Sequence, residues 1–238
     1  MAGMEQNPLV SVVMPVYNAE KYVDAALQSV FGQTYKNLEV ICVYDKSTDK
    51  SLDRLKSYGD KIHLRENGEK LGIGGARNNG IEIAQGAFLA FMDADDIWEP
   101  QKIERQIEQF IKDPTLDVSF TYMQCFLSED IPEEVKKIRY CNPDPMPGYL
   151  AAAAVVKTTS FHKVGLFNPK WRVGEFVDWS KRAKELHLKM DIIPETLLRR
   201  RIHETNTGVT ERPSRNDYIT IMRESLQRKK NKDKEHDS

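Results

Sequence analysis

The stretch "LVSVVMPVYNAEKYVDAALQSVFGQTYKNLEVICV", residues 9–43, decides the fold. Residues 9–16 are apolar and β-branched and end near Pro15, which predicts a buried strand. Residues 38–43 predict a second strand of the same kind. The order strand, helix, strand predicts a parallel β-α-β unit. The helix between them, within residues 18–31, is indicated by apolar side chains that recur with a helical period: Val23, Ala26, Leu27, Val30 and Phe31.

The same alternation continues to residue 92. A strand is predicted at 61–65, a helix at 74–85 and a strand at 87–92, which indicates an α/β fold around a mostly parallel sheet. Ligands bind such sheets outside the carboxyl ends of the strands. The segments that directly follow strands are therefore expected to converge on one edge of the sheet: 15–18, 44–49 and 93–96.

The second half of the chain has a less regular pattern. We interpret the chain as a single domain with halves at 8–97 and 98–212, followed by a helix and a flexible charged tail at 213–238. The elements predicted beyond residue 100 are a helix from Pro100 to about 112, a strand at 116–123, a Pro-rich surface loop or lid at 128–148, a helix at 175–187, strands at 188–193 and 196–202, and a helix at 216–228.

The composition excludes several classes of protein. The chain has 238 residues, a net charge of −1 and 40% hydrophobic residues, which gives no electrostatic reason to expect a nucleic-acid partner. Its cysteines, Cys42, Cys125 and Cys141, have no metal-binding spacing and are odd in number, which favours a reducing cytoplasm. We expect neither a secretory leader nor a transmembrane segment, because no apolar window approaches about 18 residues. Peripheral contact with a membrane and a homodimer both stay open.

The segment "AFLAFMDADDIWEP", residues 87–100, places three carboxylates directly after an apolar strand. Like charges this close repel one another unless a cation lies between them. Mg²⁺ and Mn²⁺ bind one or two protein carboxylates together with substrate phosphates, so Asp93 and Asp95 predict a metal–diphosphate site. The alternative is an acidic turn. Asp96 is expected to cap the helix that begins near Pro100 or to brace the loop.

Arg77 lies in the glycine-rich segment "KLGIGGARNNG", residues 70–80. This segment is not a dinucleotide-binding loop, because Arg77 occupies the last glycine position and the first strand is far away. The Gly-Lys-Ser/Thr ending of a Walker A loop is also absent. Arg77 is therefore a candidate cation near the sheet edge, or alternatively a surface arginine at a helix start.

Two later segments supply further candidates. In "RVGEFVDWSKRA", residues 172–183, Glu175 and Asp178 share one face of a helix start beside aromatic side chains. Either acid is a candidate general base, and the alternative is an acid favoured by the helix dipole. In "LLRRRIHETNT", residues 197–207, Arg201 and His203 end a strand. They are candidates to neutralise a diphosphate or bind a metal, or else they form an ordinary polar strand end.

Taken in order, these segments resemble the family 2 glycosyltransferases, which have the GT-A fold, a Rossmann-like α/β/α sandwich. The resemblance is strong over about residues 9–110, carried by motifs at 10–51 and 72–106, and fainter to about 210, where "GEFVDW" and "RRRIH" carry it more weakly. It implies metal-dependent transfer of a hexosyl group from a nucleotide-diphosphate sugar, such as a UDP-sugar, to an acceptor hydroxyl with inversion. It also implies a role in the biosynthesis of a polysaccharide or glycoconjugate, with a glycan, lipid-linked or peptide acceptor.

The resemblance assigns roles by position. It implies that Pro15 and Tyr17 contact the nucleotide, that Asp45 recognises the base, and that Arg77 and Asp93 bind the donor. Arg201 is added to the donor site as a cation for the diphosphate. Asp95, helped by Asp93 and His203, is implied to hold Mn²⁺ or Mg²⁺, and Glu175 is implied to be the catalytic base, with Asp178 less favoured.

Three residues depart from the family pattern. Tyr44 and Lys46 replace an acid and a glycine after the second strand, and Phe176 replaces the second acid of the base motif. The Tyr44 and Phe176 departures leave open a catalytically weak protein that binds a sugar nucleotide. A nucleotidyltransferase that makes a sugar nucleotide also stays open, because it uses the same acids after a strand to hold a metal. The nucleotidyltransferase is less favoured, because "PVYNAEKY" follows the first strand where such enzymes carry a glycine-rich loop with Arg and Lys.

Overall fold

The computed structural model describes residues 7–138, 141–206, 214 and 216–236. Its strands are β1 (Val10–Val16), β2 (Leu38–Tyr44), β3 (His63–Glu66), β4 (Phe88–Phe91), β5 (Ile97–Trp98), β6 (Val118–Leu127), β7 (Met146–Pro147), β8 (Val155–Lys157) and β9 (Met190–Ile202). Its α-helices are α1 (Val23–Phe31), α2 (Ser51–Lys56), α3 (Gly72–Ile83), α4 (Lys102–Lys112), α5 (Glu133–Ile138), α6 (Thr158–Val164), α7 (Glu175–Glu185) and α8 (Asn216–His236). Short 3₁₀ turns cover Gly59–Lys61 and Ala151–Ala153.

The first half of the chain forms a parallel block of strands in the order β3-β2-β1-β4. Val12 of β1 lies opposite Val40 of β2 and Ala90 of β4. Alternate side chains of β1 enter two different cores, so that Val12 packs with α1 and Val13 packs with Ile81 of α3. Burial on both faces explains why these strands are continuously apolar. The predicted α/β fold is confirmed.

The second half extends the same sheet with mixed strand directions. β8 runs antiparallel to β4 and β6, β9 runs parallel to β6, and β5 pairs antiparallel with β9 at the far edge. Only five residues connect β4 to β5, although β8, β6 and β9 lie between them in the sheet order. Within that connection the N–H of Asp96 donates to the carbonyl of Asp93 at 3.1 Å, so the segment is a turn. The sheet must therefore curl to bring β5 back towards β4.

The prediction of two strands at 188–193 and 196–202 was wrong, because both belong to β9. The register against β6 shifts between the pairs Thr121–Ile193 and Tyr122–Thr196. This leaves Pro194 and the next residue as a bulge, which tolerates a proline because no ladder hydrogen bond from its nitrogen is needed there. Along the sequence, the proline looked like the end of a strand.

Other predicted boundaries also changed. The helix predicted at 216–228 extends to His236 in α8, and the loop predicted at 128–148 contains α5 and β7. The 3₁₀ turn at Ala151–Ala153, β8 and α6 were not predicted, because an alanine-rich stretch has no clear period. Residues 139–140 of the loop and 207–213 lie outside the described residues.

Gly80 explains how α3 lies so close to the sheet. A Cβ at this position would be 2.5 Å from Cγ1 of Val13 and 3.1 Å from Cγ2 of Val43. Glycine therefore costs some helix propensity but lets α3 pack directly on β1 and β2. This packing fixes the helix that carries Arg77.

Candidate active site

The segments that follow β1 and β2 meet at the carboxyl edge of the parallel block. Asn18 donates its N–H to Oγ of Ser47 at 3.0 Å and accepts the N–H of Thr48 at 2.8 Å. Tyr17 is 42% exposed beside them, with Nζ of Lys70 3.6 Å from its ring centroid. Pro15 is half-buried within β1. The predicted convergence of these loops is confirmed, and Tyr17 presents an aromatic face at the edge.

Asp45 organises the approach to α3. The side chain is buried, with Oδ1 accepting the N–H of Leu71 at 2.8 Å and an N–H of the Asn67 side chain at 2.8 Å. Its second oxygen, Oδ2, accepts the N–H of Gly72 at 2.9 Å. Gly72 has φ of +74°, a value that favours glycine. In this structure the Asp45 carboxylate thus fixes the loop before α3, and base recognition stays a prediction.

Arg77 links the two halves of the chain at this edge. It lies on α3 with 1% of its surface exposed, so the alternative of a surface arginine is wrong. Nη2 donates to Oδ1 of Asp93 at 2.5 Å, and Nη1 donates to Oε1 of Glu175. The rings of Phe91 and Phe167 lie 5.9 and 6.0 Å from the guanidinium carbon. Two candidate carboxylates from distant parts of the sequence are therefore held by one buried cation.

Glu175 is the first residue of α7, and the backbone before it is held by α8. Gly174 has φ of +81°, and a Cβ there would be 2.9 Å from Tyr218 of α8. Asp217, also on α8, accepts the backbone N–H of Arg172 at 3.0 Å. These contacts set where α7 begins and therefore where the Glu175 carboxylate lies.

Asp178 and Phe176 do not join this group. Asp178 is 2% exposed and accepts a hydrogen bond from Nε of Arg182 at 3.0 Å, with Arg228 of α8 at 4.0 Å. Phe176 packs among aromatic rings that include Trp179 at 5.8 Å between centroids. The structure thus brings Glu175, rather than Asp178, to Arg77. Phe176, which stands where the family's base motif has its second acid, packs in the hydrophobic core.

Asp95 has different partners from Asp93. Its Oδ2 lies 2.8 Å from Nε2 of His203 and 3.2 Å from Nδ2 of Asn206. The other ring nitrogen of His203, Nδ1, accepts the N–H of Thr205 at 3.3 Å and lies 3.0 Å from its hydroxyl. The predicted pair of Asp95 and His203 is therefore in direct contact. Asn206 was not predicted to join this group. The available signal was its position in "HETN", three residues after the candidate His203.

Asp96 and Arg201 brace the acidic loop. Oδ1 of Asp96 accepts the backbone N–H of Arg201 at 2.9 Å, and Nε of Arg201 donates to the carbonyl of Asp95 at 2.9 Å. Asp96 is 2% exposed, and burial together with the charges of Asp95 and Asp93 raises its pKa well above the usual range. Of the two roles expected for Asp96, bracing is the one observed.

Two of the three predicted metal ligands, Asp95 and His203, are arranged as donors for a divalent cation. Asp95 offers a carboxylate and His203 an imidazole, while Asp93 is already paired with Arg77. Within the described ranges no group of three or more His, Cys, Asp or Glu side chains is arranged to hold a metal. Mg²⁺ and Mn²⁺ need only one or two protein ligands when a substrate supplies phosphate oxygens, and the Asp95 carboxylate with the His203 imidazole fits that number.

The fold is shared with solved structures that have the GT-A fold. S. aureus TarS 1-349 in complex with UDP-GlcNAc superposes with a TM-score of 0.71 at 21% sequence identity, covering 91% of this chain and 65% of that one. The expected GT-A fold is confirmed. No helix within the described ranges combines the length and apolar character that crossing a membrane requires.

The sequence comparisons give the family. The pattern of glycosyl transferase family 2 matches residues 11–169, and the chain belongs to that family. It is 32% identical to an uncharacterized glycosyltransferase of Rickettsia typhi, over 92% of this chain and 72% of that protein. It is also 41% identical to the UDP-Glc:alpha-D-GlcNAc-diphosphoundecaprenol beta-1,3-glucosyltransferase WfgD of Escherichia coli. That match covers 48% of this chain and 44% of the Escherichia coli protein.

Proposed function

We propose that the protein transfers a hexosyl group from a nucleotide-diphosphate sugar to an acceptor hydroxyl with inversion. The observation that carries this proposal is the ion-paired group in which Arg77 joins Glu175 to Asp93, two residues along the chain from Asp95. It places a buried acid from α7 beside the loop of the Asp-x-Asp segment. A base and a diphosphate site must be close together for a single displacement at one carbon.

Glu175 is proposed to act as the general base. Arg77 holds Oε1, while Oε2 has no hydrogen-bond partner among the described residues. The acceptor hydroxyl would lose its proton to Oε2 as its oxygen bonds to the anomeric carbon and the bond from that carbon to the diphosphate oxygen breaks. Because the nucleophile enters opposite the leaving group, the configuration inverts.

Asp95 and His203 are proposed to hold Mn²⁺ or Mg²⁺. A bound cation would supply electrostatic stabilisation of the negative charge on the leaving diphosphate. Binding through Nε2 of His203 requires that nitrogen to be unprotonated, so the ring proton would move to Nδ1. Nδ1 would then give up the hydrogen bond from the N–H of Thr205 and donate instead to the Thr205 hydroxyl, 3.0 Å away. Asn206 would keep the Asp95 carboxylate oriented.

The relatives support a UDP-sugar as the donor. The names of the Escherichia coli relative and of the TarS complex contain UDP-Glc and UDP-GlcNAc. In this chain Pro15, Tyr17 and Asp45 are proposed to bind the nucleotide, with Tyr17 stacking on the base. Arg201 is proposed to contribute positive charge near the diphosphate.

The experiment measures melting temperature with UDP, GDP, ADP, CDP and TDP, each with and without Mn²⁺, followed by hydrolysis of the matching nucleotide sugars. We expect UDP to stabilise the protein most, Mn²⁺ to increase the shift, and UDP-sugars to be hydrolysed slowly to UDP. Binding without any hydrolysis would favour the catalytically weak binder. If no nucleotide binds with or without Mn²⁺, the proposed function is wrong.

A further inference from the structure

A cavity of about 640 Å³ lies next to the acidic loop, between the start of α1, the end of β6 and the edge formed by β5 and β9. Its lining includes charged and aromatic side chains that the proposed reaction does not use: Lys21, Tyr22, Phe126, Asp130 and Arg199. Arg201 also lines it and connects it to Asp95. The Asp45, Asp93 and Glu175 carboxylates are not part of its wall.

The Arg201 guanidinium is held by ring contacts and by Nε, and its outer edge has no hydrogen-bond partner among the described residues. Its central carbon lies 4.7 Å from the ring centroid of Phe126 and 5.1 Å from that of Tyr22. Nε donates to the carbonyl of Asp95, whereas neither Nη atom has a hydrogen-bond partner in the described part of the chain. Aromatic contacts and a backbone anchor thus fix the plane of a group that presents unused N–H donors.

Arg199 adds a second cation of the same kind. It is exposed and contacts the same aromatic ring as Arg201, with its guanidinium carbon 4.9 Å from the ring centroid of Phe126. Across the described residues no carboxylate forms an ion pair with Arg199 or Arg201. Two arginines that share one phenylalanine repel each other, and an anion bound between them would remove that cost.

The acids in the wall do not cancel these charges. Asp130 is matched by Lys21, whose Nζ lies 3.0 Å from Oδ2, and by the hydroxyl of Tyr22 at 2.9 Å. Burial would raise the pKa of Asp130, but hydrogen bonds from Ser128, Lys21 and Tyr22 outweigh it and lower the pKa. Glu129 is the remaining acid of the wall, so one negative charge remains beside the two positive charges of Arg199 and Arg201. The wall therefore keeps an excess of positive charge.

We propose that this cavity binds an oxyanion, a phosphate or a carboxylate, that is carried by the acceptor. Guanidinium groups bind both anions through paired N–H donors, and the aromatic rings offer a surface for an adjoining sugar. Assigning the anion to the acceptor rests on the proposed function, since the donor is assigned to the edge formed by β1, β2 and β4. Arg201 then connects the acceptor cavity to the backbone of the candidate metal ligand Asp95, and the charge it contributes near the diphosphate acts from this wall without direct contact with the donor.

The test is a titration of the ¹⁵N-labelled protein with inorganic phosphate at constant ionic strength, followed by backbone amide and arginine Nε–Hε signals. We expect saturable shifts at 126–130 and 199–201. Arg199→Gln should weaken phosphate binding by at least about tenfold, because hydrogen bonds to charged groups contribute about 1.5–3 kcal/mol. Arg65→Gln is the matched control, since that arginine pairs with Glu82 at 2.8 Å and does not line the cavity.

Further arms separate the possible sources of the anion. Acetate should produce shifts in the same signals, and glucose 1-phosphate should bind more tightly than methyl glucoside in wild type but not in Arg199→Gln. Saturating UDP with Mn²⁺ should leave phosphate binding intact. Unchanged phosphate affinity in Arg199→Gln, the absence of saturable shifts, or displacement of phosphate by UDP would overturn the proposal. A protein that binds phosphate in this cavity but binds none of the nucleoside diphosphates, with or without Mn²⁺, would overturn the proposed function alone.

Discussion

Asp93 and Asp95 are separated by one alanine, but they belong to two different chemical environments. Asp93 is paired with the buried guanidinium of Arg77, and through it with Glu175. Asp95 contacts the imidazole of His203 and the amide of Asn206. One carboxylate is thus already neutralised by a protein cation, whereas the other contacts groups that can rearrange around an added cation. The Asp-x-Asp segment combines a structural acid and a candidate metal ligand, and the partners decide which is which.

Glu175→Gln is expected to have the largest effect, because it removes the only acid that Arg77 brings to this edge from α7. General bases contribute about 10²–10⁴-fold to rates, so transfer should fall by about 10³-fold with UDP affinity retained. The measurement is single-turnover transfer together with UDP titration. Asp178→Asn serves as the comparison and should lower the melting temperature more than the rate. A similar loss of rate in both variants would move the base to Asp178.

Arg77→Met is expected to lower the free energy of unfolding strongly, because Arg77 pairs with both Asp93 and Glu175. Removing one partner of a buried ion pair leaves Glu175 uncompensated and typically costs about 3–5 kcal/mol. Chemical denaturation measures this loss. Arg65→Met, at an exposed pair, should cost less than about 1 kcal/mol. In the double variant with Glu175→Gln, part of the stability should return, and strictly additive losses would show that the pair is not coupled.

Asp95→Asn and Asp93→Asn should separate the two environments directly. Even the outer-shell partners of a metal contribute about 10–100-fold to its affinity, so Asp95→Asn should weaken activation by Mn²⁺ by about 100-fold. Asp93→Asn should change it much less and lower stability instead. Activity measured against Mn²⁺ concentration tests both variants. Equal loss of activation in the two variants would show that both acids bind the metal.

Gly74→Ala is expected to have the smallest effect, and to change the packing of α3 against Glu175 without changing the surroundings of Asp95. A Cβ at this position of α3 would lie 3.5 Å from Cβ of Glu175, an ordinary contact distance. Because alanine favours a helix over glycine, we expect a gain of about 0.5 kcal/mol in unfolding free energy and unchanged activation by Mn²⁺. Thermal unfolding measures the gain, and a loss of stability would mean that α3 and α7 are packed more tightly than this distance indicates.

The sequence predicted the parts of the fold that have a clear period. Strands β1, β2 and β4 are buried on both faces, so their apolar runs were recognisable, and parallel strands placed the following loops at one edge. Asp93 and Asp95 were also recognisable as candidates, because like charges directly after an apolar strand repel one another unless a cation lies between them. His203 was assigned with Asp95 to the metal, whereas Arg77 was identified as a candidate without its ion pairs to Asp93 and Glu175.

Sequence patterns could not predict what depends on three-dimensional contacts. The split between Asp93 and Asp95 depends on which side chain reaches each oxygen, and Arg77 comes from α3 whereas His203 follows β9. Phe176 looked like a defect in a catalytic motif, because its packing against Trp179 is invisible in the sequence. The contribution of α8 was missed for the same reason, since Asp217 acts on the backbone at Arg172.

The turn that carries the acids also fixes the curvature of the sheet. Five residues join β4 to β5, and Ile97 must still pair with Arg199 of β9 on the far edge. An extra residue in this turn would shift that register or release the bond between Asp96 and Arg201. The length of the acidic segment is therefore a mechanical constraint as well as a chemical one, and substitutions should be tolerated there more readily than insertions.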